Sequence, residues 1–335
     1  MERLKLIHRI ANVTESTFTS LALDVFRYQA AHNHLYAQYL SLLGLEVNSV
    51  QKLTEIPFLP IQLFKQHEIK TGEWTPEVVF TSSGTTGTVT SRHLLRDTNF
   101  YRTQARKGFS YFYGPLDQYV VLALLPSYLE RTGSSLVFMA DDFIQQALPL
   151  SGFFLHNTDE LLQVIQQVRL QNNKLPTNLQ KRILLLGVSF ALWDLAEQAS
   201  FALEEVIIME TGGMKGRRQE ITRPELHQIL QRAFKTSAIH SEYGMTELLS
   251  QAYSKGNGIF HPTPTMRVFW RETTDPLKVA ASGKNGAINI IDLANIDTIS
   301  FIATEDVGNV YPNGSFEISG RLDIGDIRGC NLMVI

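Results

Sequence analysis

Apolar positions in the first part of the chain recur at the spacing of a helix face. Phe18, Leu21, Val25 and Tyr28 fall three or four residues apart, and a second series runs through Leu35, Tyr39 and Leu43 to a stop at Gly44. The segment IPFLPIQLFK, with Pro57 and Pro60, breaks that period. Beyond it, EVVFTSSGTTG reads as a strand running into a glycine-rich turn, and QYVVLALLP, RILLLGVSF and EEVIIMETGG are short β-branched-rich runs of the kind that bury as strands. Helical periods separate several of these runs, around Asp159 to Asn172 and Pro224 to Phe234. Strands alternating with helices predict a largely parallel sheet covered on both faces. After about residue 260, MRVFWRE, GAINIIDL, ISFIAT and SFEISGR alternate with period two between Asn/Gly/Asp/Pro turns, including Pro312-Asn313-Gly314, and predict antiparallel hairpins.

Composition narrows the function classes. A net charge of -3 over 335 residues offers no basic footprint for nucleic acid. No apolar run reaches the roughly 20 residues that span a bilayer, and the amino terminus lacks a signal-peptide core, so a cytoplasmic protein without integral membrane contact is expected. A single cysteine, Cys330, excludes an internal disulfide framework and any multi-cysteine metal site.

Three clusters suggest chemistry. TSSGTTG at 81–87 places hydroxyls and glycines directly after a predicted strand, where close backbone approach and hydrogen-bond donors suit phosphate oxygens. It lacks the Gly-Lys-Ser/Thr of the P-loop, and read alone it is equally a polar turn. EYGMTE at 242–247 offers an aromatic face at Tyr243 for stacking on a base, a hydroxyl at Thr246 for a phosphate and a carboxylate at Glu247 for a hard cation. In EDVGNVYPNGSFEISGR, Asp306 suits vicinal ribose hydroxyls and Arg321 a ribose or phosphate; read alone, they are a turn residue and a surface charge.

In this order, the Ser/Thr/Gly loop, Tyr-Gly-x-Thr-Glu and an acidic segment leading to Gly-Arg-x-Asp resemble the adenylate-forming superfamily of acyl-CoA ligases, luciferases and adenylation domains. The resemblance implies that Ser82, Ser83, Gly84, Thr85, Thr86 and Gly87 bind the β- and γ-phosphates of ATP. It implies that Tyr243 stacks on adenine beside Gly244, Thr246 meets the α-phosphate, Glu247 supports Mg²⁺, Asp306 binds ribose and Arg321 acts nearby. Gly212, Gly213 and Lys215, in GGMK, fall where the superfamily lines its adenine pocket. The implied fold is α/β: a large N-terminal-type domain with mostly parallel sheets covered by helices and a β-rich C-terminal subdomain. The expected organisation is one adenylate-forming domain over 1–335, with a helical part at 1–75, a nucleotide-binding α/β body at 76–260 and the β-rich subdomain at 261–335.

Two departures stand out. Where the superfamily loop often continues with Pro-Lys, this chain has Thr88, Val89, Thr90, Ser91 and Arg92, which leaves open the cation that approaches the leaving phosphates; Lys215 or Arg92 is the candidate for the charge that the superfamily's small C-terminal domain supplies with a lysine. The sequence also ends shortly after Gly320-Arg321-Leu322-Asp323, so the usual small mobile C-terminal domain, about 100 residues, is expected to be absent. FTSSGTTG followed by SRH and Asp97, the string ETGGMKGRRQEITRPELH and the ending GRLDIGDIRGC look like the acyl-protein synthetase (LuxE) family of bacterial luminescence systems, from about Ile56 onward. That family activates a fatty acid with ATP and passes the acyl group to a cysteine near its own carboxyl terminus, matched here by Cys330, for delivery to a partner reductase. Arg328 beside Cys330 would raise the thiolate fraction. The expected partners are thus a small-molecule carboxylic acid and an acyl-accepting reductase or carrier protein. An acyl- or aryl-CoA ligase using coenzyme A, and a catalytically inactive nucleotide- or acyl-binding protein, stand as alternatives.

Overall fold

The structure, a computed structural model, describes residues 2–82, 89–126, 133–198, 202–212 and 221–322. In chain order, helices α1 (Glu2–Ala11), α2 (Glu15–His32) and α3 (His34–Leu42) precede strand β1 (Leu59–Pro60), the single turn α4 (Leu63–Gln66) and a hairpin of β2 (Val78–Thr81) with β3 (Arg92–Leu95). The body follows as α5 (Thr98–Tyr113), β4 (Tyr119–Leu124), α6 (Ser135–Gln146), β5 (Gly152–Phe153), α7 (Thr158–Asn172), β6 (Arg182–Val188), α8 (Ser189–Gln198), β7 (Val206–Thr211), α9 (Arg223–Phe234), β8 (His240–Tyr243), β9 (Ala252–Ser254) and β10 (His261–Pro262). The last stretch is β11 (Met266–Arg271), β12 (Val279–Ala280), β13 (Gly283–Asp292), β14 (Phe301–Val310) and β15 (Phe316–Arg321).

The apolar runs read from sequence become the centre of a seven-stranded sheet, ordered β10-β9-β8-β7-β6-β4-β5, whose strands from β8 through β5 are parallel. Tyr119–Leu124 is buried at every position, as a strand covered on both faces must be. Helix starts are set locally: Asp97 accepts from the Phe100 amide ahead of α5, and Thr222 with Glu225 forms a capping box ahead of α9.

The predicted hairpins form a second sheet, ordered β1-β14-β13-β11-β12 with β15 on β14. One pairing departs from the sequence reading. IPFLPIQ does not merely end the helical region: Leu59 and Pro60 run parallel to Ile302 and Ala303, so the N-terminal segment enters the C-terminal sheet. The helices follow it. Phe18, Phe26 and Tyr36 share one apolar core with Ile290, Phe301 and Phe316, while α5 to α9 share another with the parallel sheet. Inside α2, the fully buried Gln29 donates to the carbonyls of Asn295 and Ile296 and accepts from the Ser300 amide, tying the helix to the connection between β13 and β14. Tyr243 and Leu248 belong to the second core although β8 belongs to the first sheet, so the β8–β9 loop lies on the seam between the two cores.

Candidate active site

Tyr243 is the last residue of β8, and its ring is buried against Phe260 and Phe316 at 5.7 and 5.2 Å between centroids. Its hydroxyl donates to Asp306 Oδ2 at 2.7 Å, and Arg321 Nε donates to Asp306 Oδ1 at 3.1 Å. Asp306 is not a turn residue. It lies inside β14 opposite Arg321 of β15, 4% exposed. The register shift that follows at Gly308 needs glycine there, because a Cβ would stand 1.8 Å from the Glu317 carbonyl oxygen. Burial, then the nearby Asp306 carboxylate, push the Tyr243 phenol well above its ordinary range, so it stays a donor at neutral pH. A carboxylate has about four lone-pair sites; among the described residues two are taken here.

The loop after Tyr243 is held by its backbone. His93 of β3 sits beneath it: Nδ1 is 2.8 Å from the Thr246 carbonyl, which only accepts, so Nδ1 carries the proton and Nε2, 3.1 Å from the Thr298 hydroxyl, accepts. Burial pulls the His93 pKa down to about 4, which keeps the ring neutral. Asn295 Nδ2 donates to the Glu247 carbonyl at 2.8 Å, and Asp292 accepts from the amides of Leu249, Ser250 and Ala294 and from the Ser250 hydroxyl. This leaves Gly244 exposed and Thr246 half-buried at the loop surface, with the Glu247 carboxyl turned inward. Burial raises the Glu247 pKa, opposed by a hydrogen bond with Ser91 and by the charges of Arg321 and Lys65.

Ser91 also connects the loop to the phosphate-loop base: its amide donates to Ser82 Oγ at 2.9 Å, and the Ser82 amide donates to its carbonyl at 3.1 Å. Among the described residues the Ser82 hydroxyl meets no acceptor. Gly212 follows Thr211, which is in register with Glu242, at φ 73°, a conformation that favours glycine; its carbonyl accepts from Ser189 Oγ. The structure therefore brings Ser82, Gly212, Tyr243, Gly244, Thr246, Glu247, Asp306 and Arg321 around one seam. Ser83, Gly84, Thr85, Thr86, Gly87, Gly213, Lys215 and Cys330 lie outside the described residues. Arg92 is at the surface, paired with Glu68 at 3.2 Å.

Sequence reading gave no role to His93, Asp292, Asn295 or Glu242. Three of them act through backbone contacts distant in sequence and leave no local signal. Glu242 did leave one: a charged residue between Ser241 and Tyr243 in a strand packed on both faces.

Solved structures share this fold. The 2-hydroxyisobutyryl-CoA ligase, solved in the postadenylation state with 2-HIB-AMP, is similar over 92% of this chain and 69% of its own, with TM-score 0.62 and 12% identity. ATP-bound MatB from Rhodopseudomonas palustris is similar over 74% of this chain, with TM-score 0.53 and 16% identity; this chain spans 49% of MatB. The fold is that of the adenylate-forming enzymes. A family model described as acyl-protein synthetase, LuxE, matches residues 10–335, and the chain belongs to that family. No curated protein sequence matches it.

Proposed function

We propose that this protein uses ATP to activate a carboxylic acid as an acyl-adenylate and passes the acyl group to a thiol. The observation that carries the reading is the Asp306 carboxylate, buried yet half-satisfied, fixed by Tyr243 and Arg321 beside a backbone-anchored Tyr-Gly-x-Thr-Glu loop in a LuxE-family chain. The free lone pairs of Asp306 suit vicinal ribose hydroxyls, with Tyr243, Gly244 and the 212–215 segment beside the adenine. Thr246 would donate to the α-phosphate. Ser82 and the hydroxyls and amides of 83–87 would hold the β- and γ-phosphates.

A carboxylate oxygen attacks the α-phosphorus, the bond to the bridging oxygen breaks, and pyrophosphate leaves. Donors fixed in advance lower the cost of the charge that develops there. Glu247 would hold Mg²⁺: its carboxylate is buried and bonded to Ser91, and among the described residues no cluster of three metal-ligating side chains forms, as fits a Mg²⁺ bound mainly through substrate phosphates. When bound, that cation neutralises charge on the leaving group. In the second step a thiolate attacks the acyl carbon, the bond to AMP breaks, and the thiol proton goes to solvent. We assign the thiol to Cys330 and the acid, by family, to the fatty acids, with onward transfer to a reductase or carrier protein.

Acid-dependent exchange of pyrophosphate into ATP tests the first step; no exchange across a broad panel of acids would leave a nucleotide-binding protein. Labelled acid with ATP should leave a hydroxylamine-labile label on the protein that Cys330→Ser abolishes. Label retained in that variant removes Cys330, and label appearing only on added coenzyme A makes the protein a CoA ligase.

A further inference from the structure

Glu242 precedes Tyr243 on β8 and points to the opposite face of the sheet. It is in register with Thr211 of β7 and Tyr253 of β9, so three polar side chains make a row on one face, 3%, 7% and 1% exposed for Thr211, Glu242 and Tyr253. Helix α5 covers that face: Phe112 and Tyr113 lie 5.5 and 5.6 Å from the Tyr253 ring. The row stands at the carboxyl ends of β7 and β8, the end at which open α/β sheets bind ligands. A Cβ on Gly244 would come 2.5 Å from Glu242 Oε1, so this carboxyl lies against the first peptide of the nucleotide loop.

The layer is polar and incomplete. Glu242 accepts from the Thr211 hydroxyl, and among the described residues no cation pairs with it. Among the described residues, eight buried side-chain polar atoms have no hydrogen-bond partner, and four of them lie on this side of the sheet: Tyr253 Oη, Gln251 Oε1, Thr263 Oγ1 and Gln104 Nε2. Gln251 lies two residues before Tyr253 and shares its face, while Gln104 is one turn from Gly108, where a Cβ would be 2.8 Å from Thr263 Cγ2 and 3.8 Å from Gln251 Oε1. A dry core does not collect unmet donors and acceptors, because each loses its water without a replacement. Asp292, equally buried, is met by four donors.

We infer that this layer is the subsite for the tail of the acid, and that the acid carries a hydroxyl or amino group that donates to Glu242 and meets Tyr253 and Gln251. The inference rests on the adenylation reading and narrows the acid to a fatty acid that bears a hydroxyl or amino group on its chain. An unsubstituted alkyl chain would leave every one of these groups unmet.

The test is acid-dependent ATP–pyrophosphate exchange with matched sets: straight-chain alkanoic acids and their hydroxy and amino derivatives of equal length, which also separate hydroxyl from amine. The wild type should favour a donor-bearing acid by at least about tenfold in kcat/KM over its alkanoic counterpart, as expected when a buried hydrogen-bonding site meets an analogue lacking the group. Glu242→Leu should erase or invert that preference while leaving the KM for ATP within about twofold; Tyr253→Phe should weaken it and, being conservative, preserves a folded protein if Glu242→Leu does not. Wild-type preference for the alkanoic acid, unchanged in Glu242→Gln and Tyr253→Phe, would mean that the layer holds internal water only; the inference then fails and adenylation stands. No exchange with any acid would overturn the adenylation reading and this inference with it.

Discussion

Glu210 and Glu242 lie on neighbouring strands, 2% and 7% exposed, and the fold treats them in opposite ways. Glu210 faces α9, where Arg223 Nε donates at 2.8 Å and His227 Nε2 stands 3.6 Å away, and the Ser189 hydroxyl at the start of α8, shared with the Gly212 carbonyl, lies 3.2 Å from it. Burial alone would push its pKa up, but His227 and Arg223 outweigh it and hold the carboxylate ionised. Glu242 faces α5 with the Thr211 hydroxyl as its hydrogen-bond donor, and burial pushes its pKa up to about 7. A buried carboxyl whose partners are supplied within the fold is part of the scaffold. One left incomplete, beside other incomplete groups, is available to a ligand. Asp306 is intermediate: two donors fix it, and among the described residues no other meets its remaining lone pairs.

Breaking the completed side should have the largest effect. Arg223→Met removes the charged donor nearest Glu210 while His227 and Ser189 remain, and should cost about 1.5–3 kcal/mol in urea unfolding, whereas Glu242→Gln should be near neutral at low pH. The second contrast is in pH. The folded-state pKa of Glu242 lies above its unfolded value, so its protonated form stabilises the fold below about pH 4.5 and that contribution is lost as pH rises through about 7. The shift corresponds to about 3 kcal/mol. Glu210 works the other way, contributing above the ordinary carboxylate range and losing its contribution as pH falls. Wild type and Glu242→Gln both keep His93 and His240, whose pKa values burial lowers to about 4, so subtracting the Glu242→Gln stability profile from wild type between pH 4 and 8 isolates Glu242. A flat difference would show that Glu242 is already satisfied.

Smaller effects sharpen the geometry. Gly244→Ala should cost about 1–2 kcal/mol in the wild-type background and little in Glu242→Ala, a coupling between neighbours that a double-mutant cycle reads directly. Tyr243→Phe removes one of the two donors to Asp306 and should raise the KM for ATP about tenfold, the scale of a lost hydrogen bond to a charged group. Arg92→Ala, at the surface beside Glu68, should stay within about 0.5 kcal/mol of wild type.

Much of this was legible before any coordinates. The period-two and period-3.6 runs placed the parallel strands and hairpins, and the order of the three motifs led to Tyr243, Asp306 and Arg321, which the fold brings within hydrogen-bond distance. What was not legible depends on contacts distant in sequence. A two-residue strand at Leu59–Pro60 has no periodicity to announce its pairing with Ile302 and Ala303. Asp306 read as a turn residue because Gly308 and the Asn-Gly turn follow closely, while the bulge that keeps it in a strand exists only opposite β15. His93 gains its role from the Thr246 carbonyl, 153 positions away. The Thr211–Glu242–Tyr253 row needs three strands in register before it exists at all.

The seam around Asp306 is proposed to make an acyl-adenylate. Enzyme in excess over ATP, mixed with Mg²⁺ and an accepted acid and quenched within one turnover, should yield acyl-AMP and pyrophosphate, with Asp306→Ala strongly reduced in both. Formation of ADP and phosphate, or acyl-AMP at undiminished rate in Asp306→Ala, would contradict the account.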